Sequence, residues 1–234
     1  MKKIEFICQT GNFVDADKPV PAKSLIPEWY RKMKPYFGQK DLQIDLQAGM
    51  AVNRTIKKCI PVLDAITSGY IITTYADLKV TRDNYDNIPF FTWASTPNSI
   101  DAVSLHFPEQ VENYPGMKEP TIPKFRNIWT IKTPPGYSCL FTPPAHHDTP
   151  LSIFSGIVDT DKYASAVEFP FMLKDPNFIG IIPRGTPIAQ VIPFKRDSWK
   201  SYYSSSTDVT FGTFMRSFFT DGYKKMVWSK KSFD

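Results

Sequence analysis

Proline limits this chain more than any other residue type. Twenty-one prolines are spread over 234 residues. Each lacks a backbone donor and holds φ near −65°, so each favours a helix's first turn, a strand edge or a loop. What lies between them must be short. Several of the intervening stretches are rich in β-branched and aromatic residues, which fit a pleated, half-buried surface. Strands are expected around residues 3–8, 70–75, 90–94, 128–133, 138–142, 151–158, 165–173 and 188–194. Turn chemistry separates the later ones: Pro134-Pro135-Gly136, Pro143-Pro144 and Pro183-Arg184-Gly185. Many short strands at close spacing imply a barrel, a sandwich or a jelly roll.

Helical periodicity is confined to the two ends. A first helix is expected near Ser24, with Pro27 in its opening turn and Pro35 stopping it. A second is expected over residues 55–67, where Ile56, Ile60, Leu63 and Ile66 recur at helical spacing and Gly69 can end it. Pro61 inside that stretch demands a kink or a late start. Aromatic residues at mixed spacing over 208–228 predict a helical tail with a break near Gly222. Three parts follow. Residues 1–69 form an N-terminal strand and helical extension packed on the core, 70–200 the β-domain, and 201–234 an aromatic and basic tail. No flexible linker divides them.

The net charge of +5 is mild. The positive residues come in scattered pairs, Lys57-Lys58, Lys224-Lys225 and Lys230-Lys231, with no long run to track a nucleic-acid backbone, so nucleic acid is not the expected partner. Cys8, Cys59 and Cys139 are widely spaced and odd in number, which argues against a disulfide framework or a structural zinc site and predicts reduced, mostly buried thiols. The opening residues, Met1 to Phe6, lack the apolar stretch of a signal peptide, and no run reaches membrane-spanning length. A soluble intracellular protein is expected.

Three segments, in order, carry a family resemblance. Thr133-Pro134-Pro135-Gly136-Tyr137 is similar to the turn before the central strands of dUTPases and dCTP deaminases. Gly156-Ile157-Val158-Asp159-Thr160-Asp161-Lys162-Tyr163 resembles the G-x-I-D-x-D-Y motif of dUTPases, with one residue inserted before Tyr163. Arg184-Gly185-Thr186-Pro187-Ile188-Ala189-Gln190-Val191 is similar to G-D-R-I-A-Q-L. The match covers less than a third of the chain, and the whole sequence also resembles proteins of tailed phages. The resemblance implies a mainly β fold: a distorted barrel or jelly roll, with N-terminal helices and a C-terminal helical tail added. It also implies a homotrimer with nucleotide sites between subunits.

Carried over by position, Asp159 matches the carboxylate that activates water, Tyr163 the ring that packs on deoxyribose, and Gln190 the amide near the phosphates. Gly185 falls in the same phosphate-side motif. In the deaminase branch, Glu168 resembles the glutamate that shuttles protons. Each has a plainer reading: Asp159 and Asp161 as turn residues bonding their own backbone, Glu168 as a solvent-facing member of an alternating strand, and Gly185 and Gln190 as parts of turn and strand.

The departures are equally specific. Where dUTPases place an Arg-Ser-Gly phosphate motif, this chain has Pro143-Pro144-Ala145-His146-His147-Asp148. The inserted Lys162 turns Tyr163 from its expected direction, and the Gly-rich arginine arm is missing. Without a cationic clamp, phosphoryl chemistry loses its main source of charge stabilisation. His146-x-Asp148 is half of an iron facial triad, but no histidine follows His147 to complete it, so an exposed loop competes with a metal site and no metal is expected. The sequence therefore predicts a non-catalytic, phage-type binding or structural module. It would act in the virion or host cytoplasm, with a virion or host protein, or a nucleotide, as partner. The competing expectation is a divergent nucleotide hydrolase or deaminase using Asp159 or Glu168. No cofactor is expected unless a bound triphosphate brings magnesium.

Overall fold

The computed structural model describes residues 2–8, 18–38, 41, 43–45, 50–51, 53–83, 88–93, 101–111, 114, 121–203 and 222–234. The chain divides into two compact units, each discontinuous in sequence: Met1–Ala22 with Gly69–Arg196, and Lys23–Ser68 with Asp197–Asp234.

The first unit is built of antiparallel strands. In chain order they are β1 (Glu5–Cys8) and β2 (Val20–Pro21), and then, beyond two strands of the second unit, β5 (Tyr70–Thr73), β6 (Leu78–Arg82), β7 (Pro89–Trp93), β8 (Val103–Leu105), β9 (Pro123–Phe125), β10 (Trp129–Lys132), β11 (Tyr137–Thr142), β12 (Leu151–Ile153), β13 (Gly156–Val158), β14 (Phe169–Leu173), β15 (Gly180–Ile182) and β16 (Pro187–Lys195). They form a five-stranded sheet ordered β13-β11-β16-β5-β2, a four-stranded sheet β12-β14-β9-β8, a three-stranded sheet β15-β6-β7, and the pair β1-β10. The fold is mainly β, and among the described residues no sheet closes on itself.

Period-2 alternation explains which faces are buried. In β14, Phe169, Phe171 and Leu173 point inward while the residues between them are half-exposed. Aromatic rings then tie the sheets together: Phe141 lies 5.7 Å from Phe169, Phe91 meets Phe171 edge-on at 5.5 Å, and Tyr75 tilts against Phe125 at 5.0 Å. Each fully buried ring among them stabilises the core by about 1.5–3 kcal/mol through burial alone. The centre of the five-stranded sheet is covered on both faces, so Ile188, Ala189, Gln190 and Val191 of β16 are all buried in succession. Next to it, Gly69 adopts φ +71°, and a Cβ there would sit 2.0 Å from the Val191 carbonyl oxygen. Only glycine fits.

The expected turns are present and share one geometry. Tyr137 N–H donates to Pro134 O, His147 N–H to Pro144 O, and Thr186 N–H to Pro183 O. In each, the third residue has positive φ: Gly136 at 82°, His146 at 60° and Gly185 at 84°, as a type II turn requires. The stretch expected as one strand over 151–158 is two. The Phe154 N–H donates to Pro170 O, the chain swings between sheets, and β12 and β13 pair with different partners.

The second unit holds α1 (Glu28–Lys32), β3 (Ile44–Asp45) paired with β4 (Met50–Ala51), and α2 (Ile60–Thr67). The first helix is a single α-turn, preceded by a 3-10 turn over Ala22–Leu25 that begins at the last residue of the first unit. Its C-terminal carbonyls are capped by Lys57, whose Nζ donates to Tyr30 O at 2.6 Å and Arg31 O at 3.3 Å. The second helix starts late, as Pro61 demands, with only a 3-10 turn (Ile56–Lys58) before it. Trp228 and Lys231 both bind the Asp64 carboxylate on α2, which anchors the end of the tail. Residues 208–221 of the expected tail helix lie outside the described residues. Gly222 has helical backbone angles and leads into a π turn over Tyr223–Val227. Cys139 is buried and Cys8 half-buried, but Cys59 is exposed. No helix among the described residues is long and apolar enough to cross a membrane.

Candidate functional site

The register of three strands assembles a charged cluster at one end of the five-stranded sheet. Pairing of Cys139 with Val158 sets Ser138 beside Asp159, and pairing of Tyr137 with Lys195 sets Gly136 beside Arg196. The next backbone bond continues that ladder, with Arg196 N–H donating to Gly136 O at 2.9 Å. The side chains then interlock. The Ser138 hydroxyl donates to Asp159 Oδ1 at 2.7 Å. Arg196 grips Asp161 with both ends of its guanidinium, Nη1 to Oδ1 at 2.7 Å and Nη2 to Oδ2 at 2.5 Å. The same Nη1 lies 3.0 Å from Asp159 Oδ1. Gly136 N–H completes the set by donating to Asp161 Oδ2 at 2.8 Å.

These contacts fix the electrostatics. Asp161, with its side chain 6% exposed, is held down at about 2, chiefly by the Arg196 hydrogen bonds and then by Gly136 N–H. Asp159 is also lowered, first by the Ser138 hydroxyl and then by Arg196. Arg196 is driven further up by Asp161 and Asp159. A bidentate arginine between two carboxylates is a strong, geometrically specific pairing. Beneath it, Thr133 and Thr160 share a hydroxyl bond of 2.8 Å, and Thr160 donates to the Cys139 sulfur at 3.4 Å. Burial pushes the Cys139 thiol up to about 11, which keeps it protonated and unreactive.

Tyr163 is exposed beside this cluster, and its backbone N–H, like that of Lys162, donates to Asp159 O. Gln190 is fully buried, with its side-chain oxygen accepting from Ala145 N–H at 2.8 Å. It holds the Pro143–Asp148 loop in place. Gly185 lies just before β16, in a turn knitted to Thr74: its N–H donates to Thr74 O, and the Thr74 hydroxyl donates to Pro183 O. Glu168 lies immediately before β14 of the four-stranded sheet, where it pairs with Lys124 at 3.1 Å and Arg126 at 3.4 Å. Asp159 and Gly185 flank opposite ends of the nine-residue β16, roughly 30 Å of extended chain. Within one chain, the structure joins Asp159 and Tyr163 but not Gly185, Gln190 or Glu168.

Among the described residues, no group of three or more His, Cys, Asp and Glu side chains is disposed to hold an ion. His147 Nε2 is buried without a partner, and burial lowers its pKa.

Sequence reasoning did not find Arg196 or Ser138, which are the partners that define Asp159. Their only signal was positional, one residue beyond a strand and two residues after the Pro-Pro-Gly turn. Compared with known proteins, the chain matches no family model and no curated sequence.

Proposed function

We propose that this chain is a non-catalytic, phage-type binding or structural module that uses a dUTPase-like β core as the scaffold of a homotrimer. One observation carries the reading: Asp159 is bonded by Ser138 and Arg196, and its pKa is pushed down. A general base works best with a pKa near the working pH. Depression moves Asp159 the other way and makes it a weaker base towards water. Arg196 is spent on the two aspartates rather than presented to a phosphate. Assembly is a separate element of the proposal. A ligand touching both Asp159 and Gly185 would need two copies of the chain, because the two residues flank opposite ends of one strand. The partner in this reading is a virion or host protein, and a nucleotide would be bound without turnover.

The test combines turnover with mass. Full-length protein is incubated with dUTP and with dCTP in magnesium, while light scattering gives the oligomer mass. The expected result is a trimer whose release of pyrophosphate and of ammonia equals background, in the wild type and in Asp159→Asn alike. Turnover that vanishes in Asp159→Asn, with circular dichroism unchanged, would overturn the non-catalytic reading. A monomeric mass would overturn the trimer.

A further inference from the structure

Half of the chain's positive side chains lie in its smaller unit. The second unit, Lys23–Ser68 with Asp197–Asp234, contains fourteen lysines and arginines but only eight aspartates and glutamates. The first unit contains fourteen and fifteen. The second unit is therefore the source of the net +5. Pairing within it leaves the excess in place whichever side chains meet, so the surplus attracts an anionic partner.

The three lysine pairs that stand far apart in sequence, Lys57-Lys58, Lys224-Lys225 and Lys230-Lys231, all belong to this unit. The fold gathers them. Lys58 and Lys224 line one cavity, and Lys231 reaches the Asp64 carboxylate on α2. Lys224, Lys225, Lys230 and Lys231 are all exposed.

The same unit holds the most exposed rings among the described residues. Trp199, Tyr202 and Tyr203 are 91%, 86% and 93% exposed. They lie on residues 197–203, which adopt neither helix nor strand, and Lys200 is exposed between them. Rings of this size stabilise a fold by being buried, so three of them left in water side by side mark a contact surface.

Two demands then fall on one partner. It must bring an excess of negative charge and flat apolar faces for the rings. An acidic protein meets the first, but its carboxylates offer nothing flat to stack on. Single-stranded nucleic acid meets both, with a phosphate at every link and a π face on every base. A duplex meets only the first, because its base faces are closed inside the stack. We propose that the second unit binds single-stranded nucleic acid, with bases stacked on Trp199, Tyr202 and Tyr203 and phosphates held by Lys200 and the gathered lysine pairs. Such binding reads charge and stacking rather than base sequence. It makes no use of Asp159, so the proposal stands whether or not the β core is catalytic.

The test is fluorescence anisotropy of a labelled oligothymidylate of about 20 nucleotides, titrated with the full chain. Saturable binding is expected, about tenfold tighter than to a duplex of equal length, and weakening linearly with salt on logarithmic axes. Trp199→Ala should weaken binding by about tenfold and leave the salt slope unchanged, while Trp199→Phe recovers most of the loss. The melting temperature of Trp199→Ala should match wild type, since the ring is almost wholly in water. Lys200→Gln should instead lower the salt slope by about 0.7, the share of one phosphate contact on a single strand. That split separates stacking from charge. Absence of saturable binding, a duplex bound as tightly as the single strand, or affinity unchanged in Trp199→Ala would each overturn the proposal. Displacement of the probe by polyglutamate at equal charge concentration would overturn it too, and would assign the surface to an acidic protein.

Discussion

Two charged clusters in this molecule solve opposite problems. In the first unit, Arg196 meets Asp159 and Asp161, and hydroxyl and backbone donors fill other acceptor positions. In the second, Arg54, Lys58 and Lys224 line one cavity, and no acidic residue is among its described lining residues. A cluster that holds its own counter-ions needs no ligand, and its charges serve to fasten two turns together. Sequence motifs directed attention to the first cluster, and none pointed to the second.

The contrast would break most completely if the strand that delivers Arg196 were displaced. Gly69→Ala places a Cβ 2.0 Å from the Val191 carbonyl in β16, at a backbone φ of +71°. Neither backbone can yield without shifting the sheet, so the cost should exceed about 3 kcal/mol. Loss of the cooperative melting transition of the β unit is the expected result, with failure to recover folded protein at 37 °C as the extreme. A variant that melts within a degree or two of wild type would mean that β16 tolerates displacement and that the cluster does not depend on its register.

The cationic cavity has its own weak point in Asn53. Truncation to alanine strands Gln43 N–H and Asp41 O and removes the anchor beside Arg54. About 2–3 kcal/mol of destabilisation is expected from the lost buried bonds. The second unit should melt at lower temperature, while the β unit keeps its transition. Equal loss in both units would show that the two clusters are not independent.

How far these clusters could be read from sequence depends on how local their determinants are. The run from Tyr70 to Thr73 announces a strand by composition, and the Pro-Pro-Gly turn announces its positive φ at Gly136. The strand Leu78–Arg82 alternates cleanly, with Leu78 and Val80 buried around exposed Lys79. It went unread because it is short and one of its partners, β15, lies about a hundred residues away. Asp159 was legible as a motif, but its state was not. That state depends on Arg196, which arrives only through the β11–β16 register. Gln190 shows the same limit: the motif names the residue, but only packing reveals that it is fully buried and bonds Ala145. The cavity left no motif at all, because residues 54–61 and 222–224 are brought together by the fold.

Acid titration sharpens the comparison, because the first cluster stores its interaction in lowered carboxylate pKa values. Asp161 sits at about 2 against an ordinary value of 3.8, and Asp159 is lowered as well. A depressed folded-state pKa stabilises the protein above the unfolded value and ceases to do so as pH falls through the folded one. The stabilisation is therefore fully present above about pH 5 and drains away between about pH 4 and pH 2. Asp161→Asn should lower the melting temperature near neutrality and flatten the acid limb. The two melting curves should converge towards pH 2. A gap that stays constant down to pH 2 would mean that Asp161 acts by shape rather than by charge.

Glu168 supplies the smallest effect and the control. It pairs with Lys124 and Arg126 at 3.1 and 3.4 Å, but all three side chains are at least a quarter exposed, and water screens them. Pairs of this kind contribute about 0–1 kcal/mol. Glu168→Gln keeps the size and much of the polarity, so its melting temperature should stay within about 3 °C of wild type at low salt, and closer still at 1 M, where the Debye length is about 3 Å. Asp161→Asn, at a nearly buried carboxylate held by a bidentate arginine, should retain most of its effect at high salt. The salt dependence thus separates a carboxylate that joins two turns from one in a solvated surface pair. Should Glu168→Gln prove the more damaging of the two, the closed Arg196 cluster would no longer be the principal electrostatic fastening of the β unit.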